Sequence, residues 1–316
     1  MLTRDLFHSA MSVDAATVGD NQSEGIADMA DKALTVDVVT PPSASLPRRV
    51  SYSQMSLYQQ CPLKYFFSYF GGWKERPTQA LVTGSISHEV IEHLYRLAPE
   101  ERTVERAIEL LREHGVRMLR KPEYEPFAND NAMKQLIREA VENLFQVESP
   151  TEVVVQPEHL EMELAVEING VNFFGKVDRF TCDGTNRVTD YKTGRSPGKY
   201  VDDKLAQPYL YSLAFRLQHD IEVDEVELIF LNAKEVVRRP KDEGIMLSLG
   251  EKLAVMRSDS ERDASASAWA ARPQRLCDYC KFQPVCPAIT PDAHTPGSPE
   301  SDALLAASGN FLRSGF

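Results

Sequence analysis

Asp190 and Lys192 stand two residues apart in a β-branched stretch, 187–193, and the two-residue period of a strand puts their side chains on one face. Asp178 lies in the preceding stretch, and Asp183-Gly184 between the two reads as a hairpin turn. If that turn has odd length, Asp178 falls opposite Asp190 with Cβ atoms roughly 5 Å apart. Two facing carboxylates repel unless a cation lies between them, and hard oxygen donors suit Mg²⁺ or Mn²⁺. An ammonium beside such a cation would hold or polarise an attacking water and steady the charge that builds on a phosphorus centre. The same spacing also describes a solvated Asp–Lys pair on a surface hairpin.

A second group of residues suits metal ligation. Cys277-x-x-Cys280 and Cys286-Pro287 crowd into one segment, and Cys61-Pro62 could supply a fourth thiolate from more than two hundred residues away. Four thiolates suit either Zn²⁺ or a 4Fe–4S cluster. Zinc sites usually draw their ligands as two local pairs, so one-plus-three is unusual for zinc. Cys182, alone on the Asp178 strand, is expected to pack as a small buried residue.

These residues need elements to position them, and the sequence changes period along its length. Residues 85–97 show Ile86, Val90, Ile91 and Leu94 at helical spacing, and helices are expected over 104–119 and 132–147. Ser53 is expected to cap an earlier helix that Cys61-Pro62 interrupts. From 153 onward short strands follow, 153–155, 160–168, 171–182 and 187–193, with Asn169-Gly170 as a further hairpin turn. A helix over 207–217, strands near 226–231 and 236–238, and a last helix over 249–271 complete the pattern. Together they predict an α/β fold, a mixed sheet flanked by helices, with an N-terminal helical subdomain at about 53–147 ahead of a core at about 150–271. Residues 1–47 and 291–316, rich in Ser, Pro, Gly and Asp, are expected to be a disordered leader and tail around a domain at 48–290, whose segment 272–290 carries the cysteine cluster.

Composition bounds the function. The formal net charge of −12 argues against a protein that coats duplex DNA by bulk attraction, yet a metal site built from carboxylates needs such residues. Five cysteines do not make a disulfide framework here, since no secretory signal is apparent and a cytoplasmic location is the expectation. No apolar run approaches the roughly 18 residues of a membrane span. No G-x-x-x-x-G-K-[ST] phosphate loop occurs, so no ATP-driven motor of that kind is present.

Four motifs in order, Gly84-Ser85-Ile86-Ser87-His88, Gly175-Lys176-Val177-Asp178, Asp190-Tyr191-Lys192-Thr193-Gly194 and the segment from Gln207 to Tyr211, resemble those of the PD-(D/E)XK nucleases. The resemblance spans roughly residues 50–287 and is nearest to the RecB-like branch, which includes AddB and the CRISPR-associated iron–sulfur exonucleases. It implies a restriction-endonuclease-like core that hydrolyses DNA phosphodiesters as an exonuclease on single strands or free ends, in repair or recombination, beside a separate helicase. It implies that His88, Asp178, Asp190 and the Tyr191 backbone carbonyl hold Mg²⁺ or Mn²⁺, that Lys192 is catalytic, and that Gln207 and Tyr211 approach the scissile phosphate. Cys61, Cys277, Cys280 and Cys286 would then hold a 4Fe–4S cluster, with zinc as the alternative. Gly84 would let the His88 helix approach closely, and Pro208 would fit only if its helix begins at about Gln207. Glu92, one turn beyond His88, reads as a solvated residue. Arg195 is a candidate substrate contact; Arg238, Arg239, Lys241, Lys199 and Lys204 read as exposed charge, and the Tyr65-Phe66-Phe67 run as packing around the cysteines. The competing function is a DNA-end-binding scaffold with a vestigial site.

Overall fold

A computed structural model describes residues 33–42, 44–196, 198 and 201–313. Ahead of the change in period lie β1 (Leu34–Asp37), α1 (Tyr52–Gln60), α2 (Pro62–Tyr65), β2 (Trp73–Glu75), α3 (Gln79–Tyr95), α4 (Val104–Leu110), α5 (Val116–Leu119) and α6 (Asn131–Val147). After it come β3 (Leu160–Ile168), β4 (Val171–Cys182), β5 (Asn186–Lys192), α7 (Val201–His219), β6 (Glu225–Phe230), β7 (Glu235–Pro240), α8 (Glu243–Ala266), β8 (Ala268–Ala271), α9 (Pro299–Ala307) and β9 (Phe311–Arg313).

Strands β3 to β7 form one sheet in sequence order. All neighbours are antiparallel except β5 and β6, which are parallel, so the chain must cross over between them, and α7 is that crossover. Left-handed φ values at Asn169 (48°) and Gly170 (79°) make the β3–β4 turn, the backbone that matches strand twist in a tight hairpin. Helices α7 and α8 cover one face of the sheet around Leu164, Val188 and Leu228. The subdomain α3–α6 covers the other around Leu160, Tyr191 and Ile229. This is the expected α/β core, a mixed sheet between helices.

Local signals account for the boundaries. Ser51, not Ser53, caps α1, because its hydroxyl meets the Gln54 amide while Gln54 returns a bond to the Ser51 amide. Cys61 is extended and Pro62 opens α2, where its missing N–H is harmless. The expected helix over 104–119 is α4 and α5 joined by a π-helical turn, Leu111–Gly115.

Other expectations need correction. Residues 153–155 form no strand, and 268–271 are strand β8 rather than the end of α8. Helix α7 begins at Val201, so Pro208 lies in its interior; a helix this well buried, through Leu205, Leu210, Leu213 and Ala214, tolerates one absent hydrogen bond. Cys182 is exposed, because it ends β4 beside a turn. In the expected leader, β1 pairs antiparallel with β8, while residues 1–32 lie outside the described residues. In the expected tail, Ser298 caps α9, β9 pairs with β2, and Phe311 packs on Phe282 with ring centres 4.5 Å apart; residues 314–316 lie outside the description. A polar composition hid a few well-placed apolar anchors.

Candidate active site

The β4–β5 ladder pairs Arg179 with Thr189 and Phe180 with Val188, and that register carried one residue further sets Asp178 across from Asp190. Asp178 Oδ2 accepts the Tyr191 amide at 2.8 Å and lies 3.3 Å from His88 Nδ1 on α3. Lys192 Nζ is 2.6 Å from Asp190 Oδ2 and donates to Gln207 Oε1 at 3.3 Å. Gln207 Nε2 in turn donates to the Tyr211 hydroxyl at 2.9 Å. Thus the hairpin, α3 and α7 bring His88, Asp178, Asp190, Lys192, Gln207 and Tyr211 into one connected cluster. The Tyr191 side chain points to the opposite face, where its hydroxyl donates to Glu148 and its ring meets the His88 ring edge-on at 6.2 Å, so it is the Tyr191 backbone that faces the carboxylates.

Glycine matters at one place here. A Cβ on Gly175 would lie 2.7 Å from Tyr211 Cε1 and 3.0 Å from Phe173, so the Tyr211 ring sits where only a glycine strand lets it. Gly84 is different, since a Cβ there would meet Thr193 Oγ1 at an ordinary 3.5 Å. The approach of α3 does not depend on it.

The structure adds Glu161, which the sequence reading missed. Leu160 pairs with Arg179 and Met162 with Val177, which leaves Glu161 facing Asp178 from β3. Its backbone is left-handed, with φ 50°; a non-glycine residue held there stores roughly 1–3 kcal/mol and is tolerated where neighbours force it. One ligand atom from each of His88, Glu161 and Asp178 lies within 4.8 Å of the others. In sequence Glu161 and Glu163 alternate like any solvated strand face, and only the backbone twist separates them.

The site crowds three carboxyls together, each with one cationic neighbour, Asp178 with His88, Asp190 with Lys192 and Glu161 with Lys176. Burial opposes a charge on His88, but Asp178 and Asp190 hold its ring protonated to about 9. Burial pushes the Asp190 carboxyl up to about 6, against the pull of Lys192. Burial and the Asp178 carboxylate raise Glu161, although Lys176 lies 2.7 Å from it. Asp190 is only 4% exposed, and its Oδ2 has no hydrogen bond of good geometry despite the Lys192 ion pair. Crowded acids, a buried carboxylate oxygen short of a partner and an imidazole suit a hard divalent cation, so the residues fit Mg²⁺ or Mn²⁺. Glu92 lines the same cavity as His88, Glu161 and Lys176 but is bonded to Arg96 at 2.7 Å.

The other expected contacts differ in standing. Arg195 is exposed just past β5. Arg238 pairs with Glu227, Arg239 with Asp202 and Lys241 with Glu222, and Lys204 is exposed. Lys199 lies outside the described residues. Tyr65, Phe66 and Phe67 are buried, with Tyr65 stacked on Trp269 and Phe67 on Phe282.

Cys61, Cys277, Cys280 and Cys286 line one cavity together with Leu63, Phe67 and Phe282. Burial pushes the Cys286 thiol up to about 11 and raises that of Cys280, so without a metal these thiols stay protonated. A single tetrahedral zinc, with bonds of about 2.3 Å, would bring its sulfurs to roughly 3.8 Å of one another. Among the described residues, the sets of three or more ligand atoms within 4.8 Å are His88–Glu161–Asp178 and Glu89–His93–His114, with no cysteine set. The thiols are therefore gathered but spread more widely than one zinc ion would hold them.

With sheet and site in view, comparison with known proteins gives the class. Residues 49–287 match the PD-(D/E)XK nuclease superfamily, and the chain belongs to it. Among individual proteins, the chain is 27% identical to the Gene 69 protein of Mycobacterium phage D29 over 215 residues, 60% of this chain and 77% of that one. It is 23% identical to the Gene 69 protein of Mycobacterium phage L5 over 293 residues, 79% of this chain and 99% of the other. Among solved structures, a candidate exonuclease from Eubacterium rectale is similar in fold, with a TM-score of 0.50 at 12% identity, covering 74% of this chain and 86% of that one. Among the described residues, no helix is long and apolar enough to cross a membrane.

Proposed function

We propose that the protein is a divalent-metal-dependent deoxyribonuclease of the RecB-like branch, acting as an exonuclease on single-stranded DNA or on DNA ends. The observation that carries this reading is the convergence of His88, Glu161, Asp178 and Asp190 beside the Lys192 ammonium. His88, Asp178, Asp190 and the Tyr191 carbonyl would hold Mg²⁺ or Mn²⁺, with Glu161 as a further oxygen donor. Such an ion, when bound, activates water and neutralises charge on a phosphoryl oxygen. Lys192, held between Asp190 and Gln207, orients the attacking water and donates to the phosphate oxygen on which charge builds. Gln207 and Tyr211, bonded to each other, steady that lysine and face the phosphate from α7. Arg195, exposed past the strand, would touch a neighbouring phosphate. With no motor motif in the sequence, a separate helicase would open duplex substrate for it in repair or recombination.

The four cysteines around one cavity support a shared metal centre, and a 4Fe–4S cluster is preferred to zinc because the motifs resemble the iron–sulfur branch of the family. Such a cluster would tie the α1–α2 junction to the segment after β8 and close a loop between Cys61 and Cys277, 216 positions apart. Its loss would loosen the nuclease domain as a whole. Assay of anaerobically purified protein for iron, acid-labile sulfide and zinc tests this; zinc without iron would replace the cluster.

A digestion time course on 5′- and 3′-labelled single and double strands tests the nuclease reading. Mononucleotides or short oligomers released from one end, in the presence of Mn²⁺, are expected. Binding to ends without cleavage under any divalent ion would instead make the protein an end-binding scaffold.

A further inference from the structure

Helix α3 carries a second cluster of metal-ligating side chains on another of its faces. Glu89 and His93 are four apart on α3 and so lie one above the other. His114 comes from the π-helical turn Leu111–Gly115, a wide turn of a kind often found at functional positions. The turn packs directly on α3, with Ile86 Cγ2 at an ordinary 3.6 Å from where a Cβ on Gly115 would stand. Around one carboxylate oxygen, Glu89 Oε1, His93 Nε2 stands at 3.5 Å and His114 Nδ1 at 3.6 Å. The two imidazole rings are 3.8 Å apart between centres. Ligand atoms of a tetrahedral zinc site, at bond lengths of about 2.0–2.1 Å, are about 3.3–3.4 Å apart, close to what these three groups already span.

The protonation of His114 can be read from its partner. Arg117 Nη2 lies 2.8 Å from His114 Nδ1 and also bonds Glu89 Oε1. A guanidinium has hydrogens to give and no acceptor, so Nδ1 presents a lone pair to the same point in space. The exposed Glu113 carboxylate stands 3.9 Å from Nε2 on the far side of the ring, beyond hydrogen-bond distance. His114 is buried, whereas the Arg117 side chain is mostly exposed and free to leave.

We propose that Glu89, His93 and His114 form a binding site for a transition-metal ion of the zinc class, with the Arg117 guanidinium occupying the cation position until the metal displaces it. Two imidazoles and one carboxylate suit zinc, cobalt or nickel better than Mg²⁺ or Mn²⁺. The ion would fasten α3, the helix that carries His88, to the turn between α4 and α5. Its ligands are distinct from His88, Glu161, Asp178 and Asp190, although Glu89 lines the same cavity as His88 and Glu161, and the proposal stands whether or not that cluster cleaves DNA.

The probe is zinc itself, added to the full chain with its cysteine site as purified and then removed from solution by gel filtration before elemental analysis. Wild type and Asp178→Asn are expected to retain one zinc per chain more than His93→Gln. Arg117→Ala is expected to hold that ion several-fold more tightly, because a competing cation is gone. Zinc should also raise the melting temperature of wild type and leave that of His93→Gln unchanged. His93 is partly exposed, so its amide variant is expected to fold; a crystal of wild-type protein soaked in zinc, with anomalous scattering measured at the zinc edge, needs no variant. Equal zinc retention by wild type and His93→Gln, or no anomalous peak among Glu89, His93 and His114, would overturn the proposal.

Discussion

The two faces of the β4–β5 hairpin use adjacent residues in opposite ways. On one face Asp178, Asp190 and Glu161 crowd together, each beside a single cation, His88, Lys192 or Lys176, and Asp190 Oδ2 lacks a hydrogen bond of good geometry. On the other face Arg179, next in sequence to Asp178, is buried in a network. It binds Glu148 through two bonds of 2.9 Å, reaches Glu227 at 3.4 Å, and lies 4.8 Å over the Tyr95 ring. Glu148 also accepts from Tyr95 and Tyr191, and Glu227 accepts from Thr189 at 2.9 Å and from Arg238. Among the described residues, Arg179 Nε and Thr181 Oγ1 are left without a partner on that face. The satisfied face joins the sheet to α3 and α6 and gives a rigid footing on which the unsatisfied face can hold like charges together. Repulsion is kept where an incoming cation relieves it.

Substitutions on the two faces should therefore part company. The largest effect is expected on the satisfied face: Arg179→Met leaves Glu148 buried without its cation and Glu227 with Arg238 alone, and should cost about 3–5 kcal/mol in a urea melt. Activity would fall only with the folded fraction. On the reactive face Glu161→Gln should do the reverse. The Mn²⁺ concentration for half-maximal cleavage should rise by about tenfold or more, while the melting temperature holds or rises slightly as a like charge beside Asp178 is removed. A stability loss in Glu161→Gln as large as that of Arg179→Met would erase the contrast.

Much of the reactive face is legible in the sequence because it obeys short-range rules. The two-residue period places Asp190 with Lys192, the Asp183-Gly184 turn returns the chain, and the observed register sets Asp178 opposite Asp190. His88, some ninety residues earlier, is brought forward by the resemblance of its motif and not by any periodicity. Glu161 escapes because its role depends on the register of a third strand and on one left-handed residue. The satisfied face is harder still, since nothing near Arg179 in sequence announces Glu148, Tyr95 or Glu227 as its partners. The segment 291–313 shows the limit of composition, because Trp73, Phe282 and Phe311 outweigh its polar residues.

Acid titration gives the smallest and sharpest separation. Burial opposes the Glu148 charge, but Arg179 holds its carboxyl below the ordinary carboxylate range. A depressed folded-state pKa contributes stability that is present above the unfolded value of about 4.5 and is lost as pH falls through the folded value. Glu148→Gln should thus flatten the fall in stability below about pH 4.5, measured as urea midpoint against pH. An unchanged acid limb would mean that the network does not set it.

The central claim is that these side chains assemble around a divalent cation with Lys192 poised beside it, and one comparison reaches it directly. Cleavage of end-labelled single-stranded DNA in Mn²⁺ is measured for wild type and Lys192→Ala, with folding matched by melting temperature. The account predicts that the variant loses about a thousandfold in rate while remaining folded. Equal rates in the two proteins would contradict it.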